Sequence, residues 1–253
     1  MTVYPPEKQF VVSVGISKTS YGEVVALCRQ WAGGNRTHYI CVTNVYSIML
    51  AKDDPEIARV FNDADIATPD GMPVVWALRT LGSPQQQRVY GPTLMLELCR
   101  AGLRPFLYGG REETLPVLVR RLEQQFPGLP IAGADAPPFR PLTAVEEEDV
   151  RARIRRSGAA IVFVGIGAPK QEQWMHEHRD CFPGLTLIGV GAAFDFFAGR
   201  TRQAPRWMQN NGLEWLFRLV TEPLRLWRRY LLISPRFLPL WAMQLLRSPG
   251  PKR

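Results

Sequence analysis

Between residues 10 and 190 the chain alternates short, nearly continuous apolar runs with longer stretches in which apolar residues recur every three to four positions. The runs 10–15, 38–43, 65–68, 105–108, 129–132, 160–164 and 185–190 predict strands. The stretches 21–31, 55–63, 72–81, 93–101, 112–126, 143–157 and 169–180 predict helices. Strands that are apolar throughout, rather than alternating, suit a parallel sheet covered on both faces. The βαβα order therefore predicts an α/β fold, Rossmann-like, with mostly parallel sheets and helices on both faces. A helical C-terminal appendage follows.

That appendage has a different pattern. On a helical wheel, Leu213, Leu216, Val220, Leu224, Trp227 and Leu231 fall on one side, and Arg218, Glu222, Arg225 and Arg229 on the other. Pro223 is expected to kink the helix or start a new one, because it lacks an N–H donor. Ser234 and Pro235 look like an N-cap and first helical residue for a second apolar stretch, 237–246.

Charge marks the same boundary. Residues 200–253 hold eleven Lys and Arg against two acids, with four of the seven Trp, while 1–199 hold 20 basic and 21 acidic residues. The chain's +8 thus belongs to one end, which divides it into an α/β core, 1–199, and a basic amphipathic appendage, 200–253. Such an appendage fits ordinary surface helices or docking on an anionic membrane surface. It does not fit nucleic acid, for which the chain carries no binding motif. No apolar run approaches the ~18 residues of a membrane span, and no secretory signal is evident. Cys28, Cys41, Cys99 and Cys181 form no close pair, so neither a disulfide framework nor a metal site is expected. The expected location is cytoplasmic, peripheral on the inner face of the membrane.

In a parallel sheet the ligand crevice lies beyond the carboxyl ends of the strands. Thr43 or Asn44 is expected there as the cap of a helix whose N-terminus can receive an anion such as a diphosphate. Asp70, in Pro69-Asp70-Gly71, is a turn residue that also places a carboxylate where a general base would be useful. Asp63 and Asp65 spell Asp-x-Asp, but they precede the strand, and extended chain would leave Asp65 roughly 16 Å from Asp70. Two Gly-x-Gly junctions, Gly165-Ile166-Gly167 and Gly189-Val190-Gly191, lead into helices that offer Lys170, Gln171 and Asp195 to a ligand. Neither has the third glycine of a dinucleotide fingerprint, which counts against a nicotinamide oxidoreductase. His176 and His178 read as surface residues rather than metal ligands.

The ordered series Val42-Thr43-Asn44, Pro69-Asp70-Gly71, Gly165 to Trp174, Gly189 to Phe196, Ala204 to Met208, Gly212 to Leu219, Glu222-Pro223 and Arg228-Arg229-Tyr230 resembles the WecG/TagA/CpsF family of bacterial glycosyltransferases. The sequence departs from many members at Met72-Pro73, beside Asp70, and at Gln203 before Ala-Pro. The resemblance implies an inverting transferase that moves a sugar from a UDP-sugar to a polyprenyl-diphosphate-linked saccharide for a cell-surface polymer, with no cofactor and no obligatory metal. It implies Asp70 as the general base with Thr43 beside the reacting groups. Asn44, Gly71, Gly167, Lys170, Gln171 and Asp195 would hold the nucleotide sugar. Arg206, Arg218, Arg225, Arg228 and Arg229 would meet the diphosphate, the acceptor or the membrane. The donor sugar and the choice between monomer and homo-oligomer stay open at this stage.

Overall fold

The structure, a computed structural model, describes residues 3–247. The strands are β1 (Lys8–Val11), β2 (Val14–Ser17), β3 (His38–Thr43), β4 (Ile66–Pro69), β5 (Pro105–Gly109), β6 (Gly133–Asp135), β7 (Ile161–Gly165) and β8 (Thr186–Gly189). The first helices are α1 (Tyr21–Trp31), α2 (Val45–Asp53), α3 (Pro55–Asn62), α4 (Met72–Thr80), α5 (Gly91–Arg100), α6 (Thr114–Gln125) and α7 (Ala144–Arg156). They are followed by α8 (Lys170–Glu177), α9 (Ala193–Phe197), α10 (Arg206–Asn210), α11 (Glu214–Thr221), α12 (Pro223–Trp227) and α13 (Phe237–Arg247). Six strands form one sheet in the order β4-β3-β8-β7-β5-β6, and the pairs β3–β8, β7–β8, β5–β7 and β5–β6 are parallel. The fold is α/β, as the sequence predicted.

By packing, the chain forms two compact units. The first comprises residues 3–5, 21–41 and 91–202; the second comprises 6–20, 42–90 and 203–247; residues 1–2 and 248–253 lie outside the described residues. The charge boundary at 199/200 is thus one of composition. By packing, the C-terminal segment is part of the unit that holds Asp70.

In the first unit, β5 and β7 are apolar along their whole length, β8 is apolar apart from its buried first residue, Thr186, and the central residues of all three are buried. α7 is fixed at its start by a capping box: the Thr143 N–H donates to Glu146 (2.8 Å) and the Glu146 N–H donates to the Thr143 hydroxyl (3.3 Å). The ends of β5 and β7 run so close that a Cβ on Gly109, whose φ is 121°, would stand 2.6 Å from the backbone carbon of Gly165. Gly109→Ala is therefore expected to destabilise the protein by about 3 kcal/mol, through overpacking and an unfavourable φ, measurable as a lowered urea midpoint.

Three local expectations fail in instructive ways. The run 10–15 is not one strand of the parallel sheet. The chain reverses at Val12, with φ 58°, so that β1 and β2 pair antiparallel as a separate hairpin. The edge strand expected at 129–132 lies at Gly133–Asp135, where it pairs with β5. His178 is buried rather than at the surface: it packs between Trp174 and Phe182 and bonds to Glu147 at 2.7 Å. His176 is half-buried.

In the second unit, α3 is capped by Asp54, with Pro55 at its first position, and buries Ile57, Val60 and Phe61. The C-terminal segment breaks at Pro223, where Glu222 leaves helical geometry, as expected. Ser234 does not cap a helix. The chain passes through it with helical dihedrals, from a π-helical turn (Arg228–Ile233) through a 3-10 turn (Ser234–Arg236) into α13. α13 is held by Phe237, by Arg236 on Asp53 (2.7 and 2.8 Å), and by Gln244, which accepts from the Val12 N–H at 2.8 Å and donates to the Phe10 carbonyl at 2.8 Å.

Candidate active site

In the second unit the Asp70 N–H donates to the Thr43 carbonyl at 2.9 Å, so Thr43 and Asp70 share the carboxyl ends of β3 and β4. Thr43 is buried. Asn44 caps α2 by accepting from the Ser47 N–H at 3.3 Å, and Gly71 occupies the cap position of α4. The segment after α4 returns along β4, where the Val89 N–H donates to the Pro69 carbonyl at 2.9 Å. Residues on either side of an extended residue point the same way. Arg88 and Tyr90 accordingly stack, with the guanidinium 4.0 Å from the ring centre.

Arg88 ties the site together. Its Nε donates to the Asp70 carbonyl oxygen, and its terminal nitrogen lies 3.7 Å from the Asp70 carboxylate and 2.6 Å from Glu214. The Tyr90 hydroxyl donates to the other Glu214 oxygen at 3.1 Å. All three charged side chains are mostly buried, between 15 and 17 % exposed. Burial opposes the Arg88 charge, but Asp70 and Glu214 outweigh it and raise its pKa; burial raises that of Tyr90. Glu214 reaches this position because Gly212, with φ 71°, lets the chain pass the Trp76 ring, where a Cβ would come within 2.8 Å.

One layer further along the C-terminal segment, Arg229 lies over Tyr46 (4.6 Å) and Tyr230 (5.4 Å) and donates to the Asn44 side chain at 3.2 Å. Its Nε and the buried Ser47 hydroxyl have no hydrogen-bond partner among the described residues. Burial, with the Arg218 charge behind it, holds the Arg229 pKa below its ordinary value. Arg218 is itself mostly buried, with Glu222 at 3.6 Å; burial opposes its charge, and Tyr230, Glu222 and Glu214 more than offset that. A cation is thus placed at the positive end of α2 without an anion bonded to its Nε.

In the first unit, Gln171 is buried at the start of α8, where it accepts from the Gly191 N–H (3.2 Å) and donates to Glu172 (2.8 Å). It joins the second Gly-x-Gly turn to the helix that follows the first. Gly167 is half-buried, Lys170 is exposed, and Asp195, on α9, has Arg200 at 3.9 Å.

This series of strand-end groups is the one on which the resemblance rested, and the description "Glycosyl transferase WecG/TagA/CpsF family" matches residues 10–250. The chain belongs to that family. It is a glycosyltransferase. It is similar to the N-acetylglucosaminyldiphosphoundecaprenol N-acetyl-beta-D-mannosaminyltransferase of Bacillus spizizenii, 32 % identical over 203 residues, covering 79 % of this chain and 77 % of the relative. The Bacillus subtilis protein of the same name is 31 % identical over 218 residues, covering 85 % and 81 %.

The family's candidate residues divide by environment. Thr43, Asn44, Asp70 and Gly71 sit with Arg218 and Arg229 in the second unit, while Gly167, Lys170, Gln171 and Asp195 sit in the first. Arg206, Arg225 and Arg228 are exposed, Arg225 pairing with Glu222 at 2.7 Å. Among the described residues no cluster of His, Cys, Asp or Glu could hold a metal ion, and no helix is long and apolar enough to cross a membrane. Arg88, Tyr90 and Glu214 were not foreseen. Arg88 and Tyr90 flank a single apolar residue, which shows no period, and Glu214 reads as an ordinary first-turn acid.

The amphipathic segment is oriented opposite to an ordinary surface helix. Arg218, Glu222 and Arg229 face inward, while Val220, Leu224 and Leu246 are 73, 93 and 87 % exposed. Trp207, Trp215, Leu216, Trp227, Leu231 and Leu238 are exposed as well. Exposed large apolar side chains are thus concentrated on this one segment, the composition of a surface that meets a partner.

Proposed function

We propose that this glycosyltransferase moves an N-acetylhexosamine, N-acetylmannosamine being the first to test, from its UDP derivative to a saccharide carried on polyprenyl diphosphate. The names of the two Bacillus relatives support this donor and acceptor. A β-linked product made from a UDP-sugar, whose anomeric bond is α, requires inversion and therefore a single displacement. The acceptor oxygen attacks the anomeric carbon as the bond to the diphosphate breaks. Asp70 takes the acceptor proton, and UDP departs with the bonding electrons.

The observation that carries this reading is the pairing, in one unit, of a strand-end carboxylate with a buried cation that lacks an anion at its Nε. Asp70 is the base, held beside Thr43. Arg229, with Arg218 behind it and the N-terminus of α2 beside it, is the fixed positive charge for the departing diphosphate. These arginines supply the counter-charge from the protein's own side chains, so transfer is expected to persist in chelator.

The exposed apolar face of the C-terminal segment supports docking on the cytoplasmic surface of the membrane, where the lipid-linked acceptor resides. Arg225 and Arg228, both exposed, would meet anionic headgroups at about 1 kcal/mol each. Leu224→Glu is expected to weaken binding to vesicles of anionic phospholipid about tenfold or more, from loss of at least 1.5 kcal/mol of apolar burial. Turnover on a short-chain, water-soluble acceptor is expected to stay near wild type. Undiminished vesicle binding, measured by flotation, would remove this face from the membrane contact. Point substitutions suit the test better than truncation, because Leu226 and Phe237 are buried within the second unit.

A further inference from the structure

We propose that Glu214 is a positioning residue that sets the basicity of Asp70 by sharing the Arg88 guanidinium with it. This rests on Asp70 being the base. Two carboxylates compete for one cation: Glu214 takes the close contact at 2.6 Å, and the Asp70 carboxylate is left with the longer one at 3.7 Å. Arg88 cannot swing freely toward Asp70, because its Nε is bonded to the Asp70 carbonyl and its plane lies on Tyr90. The Tyr90 hydroxyl in turn fixes the second oxygen of Glu214. A full ion pair with Arg88 would make the Asp70 carboxylate a weak base; with Glu214 in place, the guanidinium is already largely neutralised.

The charged and titratable groups that act on Asp70 include Arg88 and Tyr90 after α4 and Arg229 on the π-helical turn; Glu214 on α11 shares Arg88 with it, and Arg218 interacts with Glu214 and Tyr90. Because Glu214 opens α11, docking of the C-terminal segment and tuning of the base are one event. The segment then does more than supply cations to the diphosphate. It brings the counter-ion that keeps Asp70 able to accept a proton.

Removing the Glu214 charge acts on Asp70 in one direction, since it frees Arg88 and deletes a nearby negative charge, and both stabilise the Asp70 carboxylate. Glu214→Gln is expected to lower kcat about tenfold and to move the acid limb of the kcat profile down by about 0.5 to 1 pH unit. Affinity for UDP, measured by calorimetry, is expected to change less than threefold. Glu214→Asp, which keeps the charge on a shorter stem, is expected to restore the limb and part of the rate. Tyr90→Phe removes one anchor of Glu214 and keeps its charge, so a smaller shift of the same sign is expected, and it serves as the test should Glu214→Gln fail to fold. An unmoved acid limb in Glu214→Gln, or a loss confined to KM or to the melting temperature, overturns the proposal, as does an unmoved limb in Tyr90→Phe where only that variant folds. Full activity in Asp70→Asn would instead overturn the base itself, whereas an Asp70-dependent limb indifferent to Glu214 would overturn only this role.

Discussion

Replacing Asp70 by asparagine is expected to lower kcat for sugar transfer about a thousandfold, a little over 4 kcal/mol of transition-state stabilisation. The substitution keeps the shape of the side chain and removes its negative charge and its ability to take a proton. Folding is expected to survive, because the Arg88 contact to the Asp70 backbone carbonyl and its 2.6 Å contact to Glu214 both remain, and no cation is left without a partner. UDP affinity is expected to stay within about threefold of wild type, since the nucleotide does not depend on the Asp70 charge. More than a tenth of wild-type kcat in this variant would remove Asp70 as the base. A variant that neither binds UDP nor melts cooperatively would assign Asp70 a structural role instead.

The second large effect is expected at Arg229. A buried guanidinium beside another arginine and the positive end of a helix lowers stability unless an anion arrives. Arg229→Met keeps most of the apolar stem between Tyr46 and Tyr230 and removes the charge. Asn44 loses one donor but still accepts from the Ser47 N–H, so α2 keeps its cap. The melting temperature is therefore expected to hold or rise, while kcat falls about a hundredfold or more, as when a fixed donor to a departing anion is deleted. UDP is also expected to bind more weakly. The combination of preserved stability and lost turnover is the discriminating result. A variant that is destabilised but turns over normally once folded would make Arg229 a packing residue.

Much of this fold was legible in the sequence because a buried parallel strand must be apolar from end to end. β5 and β7 have that signature, β3 and β8 have it in their interiors, and α1, α3 and α4 carry clear period and boundary signals. The hairpin of β1 and β2 was hidden because its reversal falls on Val12, a residue that disfavours positive φ, with no Gly, Asn or Asp at that position to mark a turn. The orientation of the C-terminal segment was hidden for another reason. Its wheel sets Arg218 and Arg229 opposite Val220 and Leu224, but a wheel does not say which side faces the protein, and here the two arginines do while Val220 and Leu224 face out; Arg225, placed with the arginines, is exposed because the helix breaks at Pro223.

The active site was legible where its residues belong to strand ends and caps. Asn44 caps α2 and Asp70 ends β4 as expected. The residues that surround Asp70 were not legible, because Arg88, Tyr90 and Glu214 meet only through tertiary packing, 18 and 126 residues apart in the case of Arg88 and its two partners. Gln171 was read as a ligand contact from its place after a Gly-x-Gly turn. Its buried bonds to Gly191 and Glu172 give it a second task, that of holding the two glycine turns of its unit in register.

The most direct test is to incubate the purified protein, in chelator, with UDP-N-acetylmannosamine labelled in the sugar and with N-acetylglucosaminyl diphosphate on a short polyprenyl chain. UDP release and labelled lipid product are then followed together, and the new linkage is assigned by NMR. The account predicts one UDP released per sugar transferred and a β linkage, with the reaction about a thousandfold slower in Asp70→Asn. Transfer with retained α configuration, or UDP release with no label reaching the lipid acceptor, would contradict it.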